Sequence, residues 1–153
     1  PPRQRAGRAE GERAQRERER ARVAVVGGGP SGVELSAELH DFLTEDAPRL
    51  FPELPADRLT ITLFDVMPHV LGMFDAKLVE YTEDTLRREG VELRTETKVV
   101  EVKPNAISVV NPDGSPESVP FGTLVWVAGI TTRPLVRALA DRQRFGLAPL
   151  GRR

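Results

Sequence analysis

Three glycines, Gly27, Gly29 and Gly32, follow the short apolar run Val23–Val26 and fit the spacing G-x-G-x-x-G. Between a strand and a helix, that spacing makes a dinucleotide-binding turn in which each glycine has a separate mechanical task. Gly27 permits the tight strand-to-helix reversal. Gly29 lacks a Cβ, so a pyrophosphate can approach the backbone, and Gly32 lets the helix pack closely on its strand. The helix then points its free N–H groups and positive dipole end at the phosphates. Asp65, at the end of a second apolar strand, is the next residue suited to chemistry. An acid at that place accepts hydrogen bonds from the adenosine ribose and repels a 2′-phosphate, which favours NADH over NADPH. It stands 33 positions after Gly32, against a usual spacing of about 20, and a proline-rich insertion between Asp41 and Asp57 accounts for the excess. The plainer reading, a strand-end Asp beginning a turn, is outweighed by the glycines upstream.

Three other residue types invite a role. Glu34 either compensates the helix dipole from the first turn, worth less than ~1 kcal/mol, or sets its carboxylate beside the nicotinamide end; the residues leave both open. Trp126 reads as core packing rather than as a stacking platform. His40 and His69 read as surface or loop histidines.

The whole chain bounds what these residues can be part of. Its 153 residues suit one domain with its own core, and no apolar run approaches the ~20 residues of a membrane span. Cysteine is absent, which excludes disulfide scaffolds, thiolate metal sites and a redox-active cysteine pair. Two isolated histidines do not make a zinc site, so no metal is expected. The net charge of −1 conceals an asymmetry. Residues 1–20 carry seven Arg against four Glu, and residues 133–153 six Arg against one Asp. Between them lie nine basic and eighteen acidic residues, and so acidic a body argues against nucleic acid as a partner. The Arg-rich ends read as solvated tails rather than lipid-binding segments. The chain opens on Pro1-Pro2, and its first twenty residues have neither an apolar signal segment nor the acid-poor composition of a transit peptide. That reads as the start of a fragment rather than a sorting signal.

Elements able to position the candidate residues emerge from periodicity. Residues 8–21 favour a solvated helix or disorder. From Ser31 the positions Leu35, Leu39, Phe42 and Leu43 form a helical stripe, which Pro48, Pro52 and Pro55 break into a long connection. Leu59–Phe64 alternates as a strand. Asp75 caps a helix running to Glu89, closed by Gly90, and Val91–Arg94 is a short strand. Lys98–Val102, Ala106–Val110 and Glu117–Val119 form a three-stranded meander with a strong turn at Asn111-Pro112-Asp113-Gly114. Thr123–Val127 is a buried parallel strand ending in Ala128-Gly129. The expected fold is α/β, a Rossmann-like doubly wound parallel sheet with a β-meander. Its ligand crevice lies at the strand carboxyl ends, where both Gly27–Gly32 and Ala128–Ile130 fall.

Four runs carry a resemblance. They are Val25-Val26-Gly27-Gly28-Gly29-Pro30-Ser31-Gly32-Val33-Glu34-Leu35-Ser36-Ala37-Glu38-Leu39-His40-Asp41-Phe42, Leu63-Phe64-Asp65, Met73-Phe74-Asp75, and Val125-Trp126-Val127-Ala128-Gly129-Ile130-Thr131-Thr132-Arg133-Pro134. In order and spacing they closely resemble type II NADH:quinone oxidoreductases, the non-proton-pumping respiratory enzymes, over residues 20 to 137. The resemblance implies a flavoprotein that moves hydride from NADH to FAD and electrons on to ubiquinone. It also implies a peripheral position on the mitochondrial inner membrane and allows a family-like homodimer. It makes residues 21–137 the NADH-binding domain, 1–20 a basic lead-in and 138–153 an Arg-rich tail. Carried over, Gly27, Gly28, Gly29, Pro30, Ser31 and Gly32 hold the pyrophosphate, Glu34 flanks the nicotinamide, and Asp65 holds the ribose. Ala128, Gly129 and Ile130 line the other side of the crevice.

The departures limit what transfers. The family's first glycine motif for the FAD adenylate, its Gly-Asp segment for the flavin ribityl chain and its membrane-docking region have no counterpart in the sequence. The family commonly has Glu at the ribose position, where Asp65 keeps the charge with shorter reach. Two other readings stay open: a sibling flavoenzyme with another electron acceptor, and a non-catalytic NADH-binding module.

Overall fold

The computed structural model describes residues 21–52 and 59–144, with side chains as far as residue 139. The expected lead-in over 8–21 therefore lies, but for Ala21, outside the described residues. Among the described residues, seven strands and four α-helices succeed one another in order: β1 (Arg22–Val26), α1 (Pro30–Asp41), a π-helical stretch (Phe42–Asp46), α2 (Ala47–Leu50), β2 (Thr60–Phe64), α3 (Ala76–Arg88), β3 (Glu92–Arg94), β4 (Lys98–Val102), β5 (Ala106–Val110), β6 (Pro116–Pro120), β7 (Thr123–Trp126) and α4 (Pro134–Arg144).

Four of the strands make a parallel sheet in the order β3-β2-β1-β7. The β-branched, apolar run of β1 suits its central place, since a parallel strand is covered on both faces. Alternation then divides the core. Val25, Ile61 and Leu63 face Leu86 of α3 and the apolar stripe of α1. Ala24, Val26 and Phe64 face Ile107, Val109 and Val119, which belong to an antiparallel sheet ordered β4-β5-β6. The meander thus occupies the face where a doubly wound fold otherwise sets helices.

Arg94 joins the two sheets. Its guanidinium lies 5.3 Å from the Phe64 ring centroid, and its Nη2 donates to Glu117 Oε2 at 2.6 Å and to Asn111 Oδ1 at 2.6 Å. That link places β6 of the meander against β3 at the edge of the parallel sheet.

Two local expectations need correction. The chain does not leave the helical path at Pro48. It widens by a π turn, in which the Ala47 amide donates to the Phe42 carbonyl, and continues as α2. Pro48 sits in the first turn of α2, directly after the π turn. Leu35, Leu39 and Leu43 pack on the core, while Phe42, expected on the same stripe, is left 40% exposed. At the far end α4 spans the expected boundary between positions 137 and 138. Among the described residues no helix is long and apolar enough to cross a membrane.

Candidate functional site

The turn after β1 is built by its own backbone and by the segment leaving β2. Gly27 donates its N–H to the Phe64 carbonyl at 2.8 Å, which keeps β1 and β2 in step to their carboxyl ends. Its φ of +121° lies in a region closed to most side chains, and a Cβ there would meet the Ala128 amide nitrogen at 2.8 Å. So Gly27 serves both the reversal and the close approach of the segment after β7. A Cβ at Gly32 would overlap the Gly27 carbonyl oxygen, and this fixes how tightly α1 sits on the end of β1. At Gly29, the N-cap of α1, nothing lies within 4 Å of an added Cβ. Gly29 therefore presents open space where an anion can reach the helix N-terminus, while Pro30 and Ser31 stand exposed beside it.

Asp65 is drawn into this turn. Its Oδ2 accepts the Gly28 N–H, and its Oδ1 accepts the Met67 N–H at 2.7 Å. Both oxygens are engaged, yet an ionised carboxylate has about four acceptor positions, so capacity remains for two hydroxyls. The residue is half-buried at the rim of a cavity of about 200 Å³, lined also by Gly27, Lys98, Val99, Trp126 and Ala128. The cavity lies between the carboxyl ends of the parallel strands and β4 of the meander.

The other wall differs from expectation at one residue. Trp126 is 52% exposed rather than buried in the core, and its indole N–H donates to the Ala128 carbonyl at 2.7 Å. As the last residue of β7 it projects past the packed layers, where its polar edge can take a backbone partner and its face stays at the cavity. Ala128 is brought against Gly27, Gly129 takes a φ of +78°, and Ile130 is fully exposed. Glu34 lies beyond the first turn of α1, which begins four residues earlier at Pro30, and its side chain is exposed. Dipole compensation within the first turn is thereby lost as an account of it.

A buried acid missing from the candidate residues stands behind the site. Glu83 of α3 is 7% exposed. Its Oε1 accepts from the Val70 amide at 3.2 Å and lies 3.2 Å from His69 Nδ1, and its Oε2 accepts from Arg87 Nη2 at 2.9 Å. Burial pushes the carboxyl up, but the Arg87, His69 and Val70 contacts together hold it below the usual range. The signal is present in the sequence, because Val79, Glu83 and Leu86 fall at i, i+4 and i+7 on one helix face. His69, in the loop, and His40, beside Asp41, stand where loop and surface histidines are expected. Among the described residues no group of three or more His, Asp or Glu is placed to hold a metal ion.

Comparison with known proteins bears on the family and the fold. The family model described as pyridine nucleotide-disulphide oxidoreductase matches residues 6–147. A probable mitochondrial NADH-ubiquinone oxidoreductase of Schizosaccharomyces pombe is 44% identical over 128 residues, covering 79% of this chain and 23% of the relative. An external alternative NAD(P)H-ubiquinone oxidoreductase of Arabidopsis thaliana, also mitochondrial, is 41% identical over 78% of this chain and 21% of its own length. The chain thus spans about a fifth of the curated relatives it matches. Among solved structures, NDH2 from Plasmodium falciparum in complex with NADH superposes with a TM-score of 0.75 at 22% identity, covering 80% of this chain and 25% of that one. That likeness shows the fold.

Proposed function

Because the chain belongs to the pyridine nucleotide-disulphide oxidoreductase family, we propose that it is the NADH-binding domain of a type II NADH:quinone oxidoreductase, with residues 21–137 as the binding unit. One observation carries the reading: a glycine turn open to an anion at Gly29 sits beside Asp65 at the carboxyl ends of a parallel sheet. Ligands of such sheets bind in that crevice. The two relatives named as ubiquinone oxidoreductases support the enzyme class.

In this reading Gly27, Gly28, Gly29, Pro30, Ser31 and Gly32 cradle the pyrophosphate. The amides at the start of α1 and the helix dipole meet its charge. Asp65 receives the ribose hydroxyls with its remaining acceptor positions and opposes a 2′-phosphate. Ala128, Gly129 and Ile130 form the opposite wall, which Trp126 braces through the Ala128 carbonyl, and Glu34 flanks the nicotinamide end. These residues bind and orient one dinucleotide. They do not fit a second: the sequence holds no other G-x-G-x-x-G turn, so the contacts to FAD belong to parts of such an enzyme that this chain does not span. There NADH supplies a hydride and ubiquinone takes the electrons, with no proton pumping. A mitochondrial setting accords with the names of the relatives; a place peripheral to the inner membrane and a homodimer are what the family resemblance adds to the reading.

The test is the activity of the longer protein that carries this segment. Purified with its flavin, it should oxidise NADH and reduce a short-chain ubiquinone in equal amounts. NADH binding without quinone reduction, or electron transfer only to ferredoxin or a disulfide, would assign the domain to a different oxidoreductase or to a non-catalytic module.

A further inference from the structure

The loop over residues 66–74 joins the end of β2 to α3 and wraps the glycine turn. At one end the Met67 amide donates to Asp65 Oδ1 at 2.7 Å. In its middle the Leu71 amide donates to the Gly28 carbonyl at 2.7 Å. Leu71 holds a φ of +52° to do so, a left-handed conformation that costs a non-glycine residue on the order of 1–3 kcal/mol and persists only where its surroundings impose it. Val70, 1% exposed, stands 3.0 Å from where a Cβ of Gly28 would be. Gly28 in turn donates to Asp65. The phosphate turn and the ribose acid are thus set by the same loop.

Glu83 fixes the loop from behind. A cavity of about 440 Å³, lined by His69, Gly72, Phe74, Val79 and Glu83, lies between loop and helix. Apolar packing does not close that gap, and the Glu83 carboxylate crosses it, taking the Val70 amide and His69 on one oxygen while Arg87 holds the other. A buried carboxylate gripped by three donors has one low-energy orientation. We propose that Glu83 is a positioning residue for the dinucleotide cleft: from α3 it holds the loop at Val70, and the neighbouring amides of Leu71 and Met67 orient Gly28 and Asp65. The role rests on reading the cleft as an NADH site. It adds that selectivity at the ribose is set partly from a helix that the dinucleotide does not touch.

A buried acid that served stability alone would, when removed, lower the affinity for NADH and NADPH by a common factor. A positioning acid must also change their ratio, because Asp65 discriminates between them. Both nucleotides are titrated into the parent chain, Glu83→Ala and Glu83→Gln, with circular dichroism to confirm folding. Glu83→Ala should weaken NADH by about tenfold and NADPH by much less, narrowing the preference severalfold, since a lost buried acceptor frees the amides it held. Glu83→Gln keeps a carbonyl for the Val70 amide and should restore most of the ratio. A folded Glu83→Ala with the parental ratio overturns the proposal. Should that variant not fold, amide exchange in the parent decides: NADH must slow exchange at Val70 and Leu71, and unchanged exchange there overturns the relay. A parent that fails to bind NADH sinks the underlying reading instead, so the two failures are distinguishable.

Discussion

Oδ2 of Asp65 accepts the amide of Gly28, thirty-seven positions earlier in the chain. The bond explains a glycine that the G-x-G-x-x-G spacing leaves unspecified. A Cβ at Gly28 would stand 2.9 Å from Asp65 Oδ2 and 3.0 Å from Val70 Cγ1. The turn over Gly27–Gly32 and the Asp65 side chain are thus packed together through Gly28.

Gly28→Ala should therefore cost stability and binding together. Overpacking of a closed site costs about 1–3 kcal/mol, and the thermal midpoint should fall by several degrees, on the order of 2–8 °C. Gly32→Val should be worse, because its Cβ overlaps the Gly27 carbonyl. Calorimetric melts of both variants check the order; a Gly28→Ala midpoint equal to the parent's would contradict the contact.

Asp65→Asn should narrow the preference for NADH over NADPH. It removes the charge that opposes a 2′-phosphate and weakens the acceptor of two hydroxyls, a change of roughly 1–3 kcal/mol in relative affinity. Titrating both nucleotides into parent and variant measures it. Equal affinities in the parent would remove Asp65 from the ribose role.

Much of this frame is legible in the sequence because its signals are local. The run Val23–Val26 into Gly27, the cap at Asp75 and the Asn111–Gly114 turn each state their structure within a few residues. Asp75 accepts the Lys77 amide, and Gly90, just past α3, takes a φ of +84°. The features that escape such reading are set by where the packed elements end and what surrounds each residue, which a short window of sequence does not show. The π turn at Phe42–Asp46 carries the helical path on to Pro48, and Phe42 at its start is exposed. Trp126 reads as core because its strand is apolar, yet it is the last residue of that strand and its indole binds Ala128. Glu83 is hidden as one acid among many on a charged helix, although its spacing from Val79 and Leu86 marks the buried face.

The link from Arg94 to Glu117 should carry the docking of the meander. The Arg94 contacts hold the Glu117 carboxyl below its usual range, with Asn111 assisting against a smaller rise from burial. Arg94→Ala removes these bonds and the contact over Phe64, and should destabilise by about 1–3 kcal/mol. Denaturant unfolding checks this, and an unchanged midpoint would show the sheets to be held by apolar packing alone.

Acid should expose the same bonds. Glu83 and Glu117 both titrate below the ordinary range in the folded chain. Their contribution is complete above the unfolded-state value, about 4.3, and is lost as pH falls through the lowered folded values. The thermal midpoint should hold from neutral pH to about pH 5 and then fall as these carboxyls protonate. Glu117→Gln should shrink the acid-dependent part of the drop. A midpoint that rose on acidification through that window would have the wrong sign for carboxylates stabilised by their partners.

The central claim is that the open space at Gly29 receives a dinucleotide pyrophosphate, and one titration tests it most directly. NADH is added to the parent chain and to Gly29→Val, and the thermal midpoint of each is measured in parallel. Nothing lies within 4 Å of a Cβ at Gly29, so the variant should keep its fold and melt near the parent. The added methyls would fill the path of the phosphates to the α1 amides, so NADH binding should be saturable in the parent and lost in the variant. A variant that binds NADH as tightly as the parent would make Gly27–Gly32 a structural turn, and the chain would not be a dinucleotide-binding domain.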